Sequence, residues 1–450
     1  MAVLLRLTSI GVLLVLTACG GGGGSVTTVP PPTTYSIGGT VSNMATGLQI
    51  ILTNNGGDSL TVGANGNFVF KTMVTSNGTY SVSIATQPTG QTCSVTGGSG
   101  TASANVTSVQ VNCAAPAAQY VYLTNQNVNT ISQYSIAANG SLTPLNPATV
   151  STGPDPQNVT IDPTNHYVYV ATFTDSTITE YVIGADGTLT ADTLAQIVEL
   201  PGSYPWGISV SHAAPHLFVV DYGNMTILPY VIGPSGHLQG AIAPAPTGRT
   251  PWWSVVSPNG ANLYVANNDD STISQYLIAA DASLVQLNPP TVATGKAPRG
   301  VTVDPSGHHA YVANFDDNTV SMYNITANGA LSTLSPNTVS TGGTQPAFLR
   351  FDPTGHHLYV TNFTNGDVGS VAHFTVDANG ILTAATPFTI ATGKGPSMIQ
   401  LDRTGRFAYV PNARDDTISQ YSVAADGSLT PLGTPTLATG HAPIDLEMTY

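Results

Sequence analysis

The stretch from Pro298 to Tyr323, PRGVTVDPSGHHAYVANFDDNTVSMY, is one copy of a unit that recurs to the C-terminus. Its clearest marker is an aromatic residue followed by Val or Leu and then, two residues on, usually Asn. Seven copies carry this marker: Tyr122, Tyr169, Phe218, Tyr264, Tyr311, Tyr359 and Tyr409. Each copy consists of short alternating apolar runs separated by Gly, Pro, Asn and Asp, and helical spacing of three and four is absent. The pattern predicts an all-β fold, a seven-bladed β-propeller with four strands in each blade.

The order of the strands predicts how the ring closes. A full unit runs through a Pro-led strand, a DPSG turn, the YVAN strand, an Asp/Asn turn and two further strands. The array begins in the middle of a unit, at Tyr120, and ends with a lone Pro-led strand from Pro443 to Tyr450. We therefore expect the C-terminal strand to join the first blade as its innermost strand, which removes two exposed sheet edges.

Composition and charge exclude some functions. The chain has 450 residues, of which only 8% are charged, and its formal net charge is −14. With no basic run to neutralise phosphates, the sequence argues against nucleic-acid binding. It contains no nucleophile elbow, no phosphate-binding loop and no His/Cys cluster with metal-ligand spacing, so we predict no cofactor and no metal.

The N-terminus has the features of an export signal. Residues 1–18 carry Arg6 and then an apolar stretch too short to span a bilayer. They lead into Leu16-Thr17-Ala18-Cys19, which resembles the lipobox of bacterial lipoproteins, in which the Cys is acylated. That resemblance implies lipidation of Cys19. Gly20 in the next position implies an outer-membrane lipoprotein, on the periplasmic side or at the cell surface, that meets the membrane only through its anchor.

The other two cysteines belong to the segment that follows a Gly- and Pro-rich tether at 19–34. If Cys19 is lipidated, Cys93 and Cys113 can pair in an oxidising compartment, although two reduced buried thiols remain an alternative. Residues 35–113 contain short β-rich runs with Asn-Gly turns and predict a small β-sandwich. It resembles the immunoglobulin-like modules of bacterial surface lipoproteins. Its interpretation is a spacer, with an adhesive face as the alternative.

The repeats at 119–450 resemble a known family. Tyr359-Val360-Thr361-Asn362 is the YVTN signature, and the Pro-x-x-Val-x-Val-Asp-Pro-x-Gly strand and turn complete a pattern similar to YVTN-repeat proteins and lactonase-like propellers. The latter include 6-phosphogluconolactonases, which are expected to place His, Glu and Arg around the channel mouth. The resemblance implies the fold and leaves function open, because propellers host many unrelated activities. By this resemblance Arg299, Arg350 and Glu447 are the candidates for catalytic roles.

The connections between blades contain residues that differ from one copy of the repeat to the next. Aligned on their Pro, they contain four basic residues and all three tryptophans, namely Arg249, Lys296, Arg299, Lys394, Trp206, Trp252 and Trp253. Tryptophan faces can stack on a ring while a cation holds a carboxylate or phosphate, which favours a mouth that binds a small anionic or sugar ligand. The alternative is that the tryptophans plug the channel and the basic residues are solvated. The predicted ligand-binding residues are Trp206, Arg249, Trp252, Trp253, Lys296, Lys394, His441 and Asp445.

The inner strands supply the channel lining. The third and fifth positions after each Pro are apolar in nearly every blade, so the second and fourth share the opposite orientation. The fourth position includes Arg350, Gln400 and Glu447 in successive blades. These residues form either a structural ion pair or a carboxylate acid/base opposite an Arg that holds a substrate anion.

Repeated His and Asp residues have a simpler interpretation. Histidines such as His308 and His309 recur in the turns between the first two strands, and acidic pairs such as Asp269-Asp270 recur in the Asp/Asn turns. We expect turn and capping roles for both. The sequence thus predicts a monomeric scaffold or binding protein for a small ligand or a surface protein. The alternatives are a lactone hydrolase and, less favoured, an adhesive array.

Overall fold

The computed structural model describes residues 32–44, 48–88, 91–114, 119–192, 198–199, 202–240, 242–364 and 366–449. The predicted signal peptide, Cys19 and most of the tether lie outside these residues. Among the described residues, no helix combines the length and apolar character needed to cross a membrane. The chain divides into two compact units, the first of which ends at Ala114.

The first unit is a small β-sandwich. One sheet has the strand order β5-β2-β10-β8 and the other β4-β3-β7-β9, while β1 and β6 form a two-stranded ribbon. The strands are β1 (Thr34–Tyr35), β2 (Ile37–Ser42), β3 (Ile50–Asn54), β4 (Asp58–Val62), β5 (Gly66–Val69), β6 (Val74–Thr75), β7 (Thr79–Thr86), β8 (Cys93–Thr96), β9 (Ser99–Thr101) and β10 (Val106–Cys113). Alternate residues such as Ile50 and Leu52 point inward and form the core with Val109 and Val111 of the opposite sheet.

A disulfide joins Cys93 to Cys113 in this unit. The two residues are directly opposite each other in the antiparallel pair β8 and β10. The bond therefore links two neighbouring strands of one sheet and closes a loop with a sequence separation of 20 residues.

The second unit is the propeller, whose strands follow in chain order. Blade 1 contains β11 (Tyr120–Asn125), β12 (Thr130–Ile136) and β13 (Leu142–Ser151), with a 3-10 turn at Gln126–Val128. Blade 2 contains β14 (Pro156–Ile161), β15 (Tyr167–Thr172), β16 (Thr177–Ile183), β17 (Leu189–Ala191) and β18 (Val198–Glu199). Blade 3 contains β19 (Pro205–Val210), β20 (His216–Asp221), β21 (Thr226–Ile232), β22 (Leu238–Gln239) and β23 (Ala245–Pro246). Blade 4 contains β24 (Pro251–Val256), β25 (Asn262–Asn267), β26 (Thr272–Ile278) and β27 (Leu284–Ala293).

The remaining blades complete the ring. Blade 5 contains β28 (Pro298–Val303), β29 (His309–Asn314), β30 (Thr319–Ile325) and β31 (Leu331–Ser340). Blade 6 contains β32 (Pro346–Phe351), β33 (His357–Asn362), β34 (Val368–Val376) and β35 (Leu382–Lys394). Blade 7 contains β36 (Gln400–Leu401), β37 (Phe407–Asn412), β38 (Thr417–Val423) and β39 (Leu429–Ala438). The last strand, β40 (Pro443–Met448), pairs with β11 as the innermost strand of blade 1, so the predicted closure is confirmed.

The marker tyrosines join adjacent blades. Each is fully buried, and its hydroxyl donates a hydrogen bond to a glycine carbonyl in the next blade, as in Tyr311 to Gly380 at 2.8 Å. Tyr409 of blade 7 donates to Gly140 of blade 1 at 2.7 Å, so the series crosses the point of ring closure. Phe218 lacks the hydroxyl. Burial of these phenols raises their pKa, which keeps them neutral donors.

The marker asparagines hold the connections in place. Asn314 donates to Thr319 Oγ1 at 2.9 Å and to Ser321 Oγ at 2.8 Å, and it accepts the N–H of Gly295 at 3.1 Å. A Cβ on Gly295 would lie 2.6 Å from Asn314 Cγ, closer than side chains approach each other. The same close approach is found at Gly248, Gly343, Gly393 and Gly440, so in five of the seven connections a Gly is explained by the need to lie against a marker amide.

Candidate functional site

We call the end of the channel that carries the blade connections the connection face, and the end that carries the Asp-Pro-x-Gly turns the turn face. The inner strands β14, β19, β24, β28, β32, β36 and β40 line the channel between them. The Pro that begins each inner strand lies at the connection face. The fourth position after Pro lies about 13 Å further along, near the turn face, given about 3.3 Å per residue.

In the middle of the channel, Asp445 of blade 1 and Asn158 of blade 2 form hydrogen bonds that link blades 1, 2 and 3. One of its oxygens accepts the N–H of Val159 at 2.8 Å and the side-chain amide of Asn158. Its other oxygen accepts the N–H of Leu446 at 2.9 Å. Asn158 in turn accepts the N–H of Ile208, which fixes its orientation. Burial raises the pKa of Asp445 to about 8, while the N–H of Val159 opposes that rise. Both oxygens of this predicted ligand-binding residue therefore have partners within the protein.

Two aromatic rings fill another part of the channel at the same level. Trp253 of blade 4 and Phe348 of blade 6 meet edge to face, with ring centroids 5.0 Å apart. Between them blade 5 has Gly300, where a Cβ would lie 2.7 Å from the carbonyl oxygen of Ala347. The Trp253 ring therefore packs against a ring two blades away, and its role in ligand binding stays a prediction.

Arg350 and Glu447 lie together beyond this level. Arg350 Nη2 is 3.9 Å from Glu447 Oε1, and Gln400 Nε2 donates to the same oxygen at 2.5 Å. The Arg350 side chain is 43% exposed and that of Glu447 is 14% exposed. Burial raises the pKa of Glu447, and the Arg350 charge counteracts it. Arg350 and Glu447 thus form an ion pair near the turn face, in which the Glu447 carboxyl is the group that can take up a proton.

His212 is a neighbour of Arg350 that the sequence analysis missed. It lies in the turn after β19, and its pKa is lowered first by burial and then by the positive charge of Arg350. The signal was present in the sequence, because Ser211-His212-Ala213-Ala214 stands where blades 5 and 6 have an Asp-Pro-x-Gly turn. The turn-face end thus gathers a His, a Glu and an Arg.

Arg299 lies apart from Arg350 and Glu447, at the first position after Pro298. Its guanidinium carbon is 3.3 Å from the ring centroid of Phe315 and 4.7 Å from that of Trp252. Its Nε–H has no hydrogen-bond partner, and among the described residues no carboxylate forms an ion pair with it. Burial lowers its pKa to about 10, partly offset by the charge of Asp316. Arg299 is therefore a poorly solvated cation held between two rings.

The rings around Arg299 continue along the connection face as what we call the aromatic arc, made of Tyr204, Phe173, Trp206, Tyr222, Trp252, Phe315 and Phe363. Phe173 stacks on Tyr204 at 4.9 Å, and Trp206 lies 4.4 Å from Trp252. Beyond Arg299, Phe315 is 6.4 Å from Phe363, over which the Arg414 guanidinium lies at 4.8 Å.

Sequence reasoning found the tryptophans of the arc but missed the other rings. Phe173, Tyr222, Phe315 and Phe363 each follow the last residue of a YVAN strand, so an alignment of that position could have found them. Tyr204 is 45% exposed and the tryptophans are half-buried, so the arc is open to solvent.

The other predicted cations of the connections have different surroundings. The backbone N–H groups of Arg249, Lys296 and Lys394 each donate to a carboxylate of the neighbouring Asp/Asn turn, at 2.7, 2.7 and 2.6 Å. The Arg249 side chain also pairs with Asp270 at 2.7 Å and is 64% exposed. His441 lies 2.9 Å from Asp416 and is 59% exposed. These acidic turns therefore cap the connections, as the sequence predicts for Asp and Asn.

The repeated turn histidines also have local partners. The backbone N–H groups of His308 and His309 donate to Asp304 Oδ1 at 2.8 and 3.0 Å. Equivalent bonds join Arg406 and Phe407 to Asp402 in blade 7, where no histidine is present. The turn is therefore held by the Asp carboxylate, and its backbone hydrogen bonds do not need the histidine side chains.

Comparison with known proteins identifies the family. The model of the family described as lactonase, 7-bladed beta-propeller, matches residues 71–233, 254–340 and 328–445. This chain belongs to the lactonase propeller family. The first matched segment begins inside the β-sandwich unit, and the later segments cover the propeller alone. A search of curated proteins returns no match.

Solved structures show the same fold. The periplasmic gluconolactonase of Pseudomonas aeruginosa superimposes with a TM-score of 0.62 at 21% identity, covering 74% of this chain and 99% of that one. A "putative 6-phosphogluconolactonase" from Bacteroides fragilis gives a TM-score of 0.64 at 19% identity, covering 74% and 98%. Membership of the lactonase propellers is compatible with hydrolysis of a lactone. At these identities the structural likeness establishes the fold alone.

Proposed function

We propose that this lactonase propeller binds a small anionic ligand with a ring or sugar skeleton at its connection face. The proposal rests on Arg299, a half-buried cation that lies between Trp252 and Phe315 in the aromatic arc and has no carboxylate within ion-pair distance among the described residues. A carboxylate or phosphate at the guanidinium would supply the missing counter-charge. The neighbouring indole faces would cover the apolar side of the ligand.

The remaining cations support Arg299 as the anion-binding group. Arg249 already has Asp270 as its counter-ion, whereas Lys296 and Lys394 are exposed residues at which a charge is well hydrated. In a chain with a net charge of −14, a cation that forms no ion pair is the better place for an anion to bind.

Calorimetric titration of the purified protein with gluconate, 6-phosphogluconate and neutral glucose tests this function. We expect the two acids to bind more tightly than glucose, and Arg299→Gln to weaken acid binding about 10- to 100-fold, the range of one charge-assisted hydrogen bond. Arg299→Lys, which keeps the charge, should weaken binding less. Arg406→Gln is the matched control, because Arg406 lies 5.3 Å over the Phe407 ring in a turn of the opposite face. Equal affinity for glucose and gluconate, or equal losses in the Gln variants of Arg299 and Arg406, would contradict the proposal.

Lactone hydrolysis is the second candidate, favoured by the family and by the Glu447 carboxyl. Glu447 is largely buried with a raised pKa, Arg350 lies 3.9 Å from it, and the charge of Arg350 also acts on His212. In this mechanism Glu447 would act as the acid/base, and Arg350 would hold the substrate anion or the developing oxyanion.

Hydrolysis of a broad panel of sugar and aliphatic lactones, followed by proton release, tests the second candidate. If the wild type opens no lactone, hydrolysis is excluded as its function. If activity is present, we expect Glu447→Gln to abolish it and Arg350→Met to lower it, with Arg299→Gln affecting only substrates that bind at the arc. Activity that survives all three changes would refute this assignment of the site.

An extracytoplasmic, lipid-anchored location belongs to the same proposal. It rests on the lipobox-like sequence ending at Cys19, and the Cys93–Cys113 disulfide and the periplasmic structural relative are consistent with it. Membrane extraction of the wild type compared with Cys19→Ser tests the anchor, which predicts that the variant becomes soluble.

A further inference from the structure

Three side chains converge at the outer edge of the propeller between blades 2 and 3. Glu180 is on β16, Asp192 follows β17, and His237 precedes β22 of the next blade. His237 Nδ1 is 3.0 Å from Glu180 Oε2 and 3.6 Å from Asp192 Oδ2, and one ligand atom of each lies within 4.8 Å of the others. The Glu180 and Asp192 side chains are only 1% and 9% exposed, and that of His237 is 28% exposed.

In three of the other six blades a glutamine occupies the position of Glu180. The residue opposite the marker tyrosine is Gln133 in blade 1, Gln275 in blade 4 and Gln420 in blade 7. Each of these amides donates to a carbonyl of its own outer strand and accepts the N–H of a Leu in the next blade. Glu180 keeps the second bond, from Leu238 N–H at 3.0 Å, but its other oxygen cannot donate and faces His237.

The two partners also depart from the repeat. The position of His237 is Ser in three other blades: Ser141, Ser283 and Ser428. The position of Asp192 is Leu in four: Leu145, Leu287, Leu334 and Leu432. Three independent changes thus bring two carboxylates and an imidazole to one place. A carboxylate in place of a neutral amide and another in place of leucine would each be unfavourable in a nearly buried setting without a cation.

We propose that Glu180, Asp192 and His237 bind a first-row divalent transition metal such as zinc. Zinc takes tetrahedral nitrogen and oxygen ligands at about 2.0–2.2 Å, which requires ligand atoms about 3.3 Å apart. The two distances from His237 lie on either side of that value. One imidazole and two carboxylates suit zinc better than calcium, which needs six or more oxygens. The partial exposure of His237 leaves room for water as the fourth ligand.

The ion would join blades 2 and 3 at their outer edge. Blades 1, 4, 5 and 7 have one continuous outer strand of ten residues, such as Leu284–Ala293 in blade 4. In blades 2 and 3 the described residues form two shorter outer strands each, Leu189–Ala191 and Val198–Glu199, and Leu238–Gln239 and Ala245–Pro246. A metal held by β16, the end of β17 and the residue before β22 would add a link between the two blades beside these short strands.

Metal titration of the EDTA-treated full-length protein tests the proposal, with zinc followed by calorimetry and cobalt by its visible absorption. We expect one zinc per chain with micromolar or tighter affinity, a tetrahedral cobalt spectrum and a rise in the melting temperature. Glu180→Gln and His237→Ser should each weaken binding at least about 100-fold. Both variants restore the residue used in other blades, so they should fold, which circular dichroism checks.

The control is His309→Ser, because His309 contacts the single carboxylate of Asp304 at 3.0 Å. It should leave zinc affinity unchanged. Absence of saturable zinc binding by the wild type would overturn the proposal, as would zinc binding that survives both Glu180→Gln and His237→Ser.

Discussion

Arg350→Met removes the cation beside Glu447 while keeping a side chain of similar length. Arg350 Nη2 and Glu447 Oε1 are 3.9 Å apart, so their attraction at an effective dielectric constant of 20 is about 4 kcal/mol. Solvent screening reduces this, because the Arg350 side chain is 43% exposed, and we expect a net contribution of about 1–2 kcal/mol. Gln400 still donates to Glu447 in the variant, so the carboxylate keeps one partner.

The expected loss depends on pH with a definite sign. Burial raises the folded-state pKa of Glu447 above its ordinary 4.5, so at pH 4 the carboxyl is protonated in the folded protein and has no charge for Arg350 to attract. The cost of Arg350→Met should therefore be under about 0.5 kcal/mol at pH 4 and about 1–2 kcal/mol at a pH above the folded-state pKa of Glu447.

Urea unfolding followed by tryptophan fluorescence measures this effect in the propeller alone, since Trp206, Trp252 and Trp253 all lie there. The double-mutant cycle with Glu447→Gln is the control, because the cost of Arg350→Met should nearly vanish in that background. An equal cost at both pH values, or in both backgrounds, would refute the pairing.

Three further predictions concern stability. Gly295→Ala should cost about 1–3 kcal/mol, because its Cβ would meet Asn314, whereas Gly433→Ala, with no atom within 4 Å of the new Cβ, should be nearly neutral in the same urea assay. Tyr311→Phe should cost about 1 kcal/mol by deleting the hydroxyl that donates to Gly380, and no loss would mean that this bond does not help to join the blades. Cys93→Ser with Cys113→Ser should destabilise the β-sandwich by roughly 3 kcal/mol, seen by proteolysis of residues 35–113, and leave the tryptophan unfolding curve unchanged.

The fold was predictable because it depends on properties that every repeat carries. Period-two alternation sets the strands, and the regular spacing of Tyr311 and its equivalents sets the blades. Closure followed from counting, since a lone Pro-led strand at Pro443 has only the incomplete first unit to join. Neither inference needs to know which side chains of different blades meet.

The candidate site was less predictable because it depends on contacts between side chains of different blades. Arg299 stood out as a departure from the repeat, but its position between Trp252 and Phe315 comes from three different blades or loops. The sequence grouped Arg299 with Arg350 and Glu447, whereas the structure places Arg299 at the connection face and the pair near the turn face. Three residues of strand separate the first and fourth positions after Pro, which is about 10 Å.

The outer-edge cluster shows the same limitation. Glu180, Asp192 and His237 have no recognisable metal-ligand spacing, because they come from one strand and two strand ends in two blades. Only the alignment of equivalent positions, with the strand register in hand, shows that each replaces a consensus residue. In a repeat protein, a candidate site is thus indicated by several non-consensus residues that lie next to one another in the structure.

A crystal structure of the protein with bound gluconate would show directly whether Arg299 and the aromatic arc form the ligand site. We expect carboxylate oxygens about 3 Å from the Arg299 guanidinium, with the carbon skeleton against Trp252 or Trp206. Gluconate bound at Arg350 and Glu447 instead, with Arg299 in contact with its rings alone, would contradict this expectation.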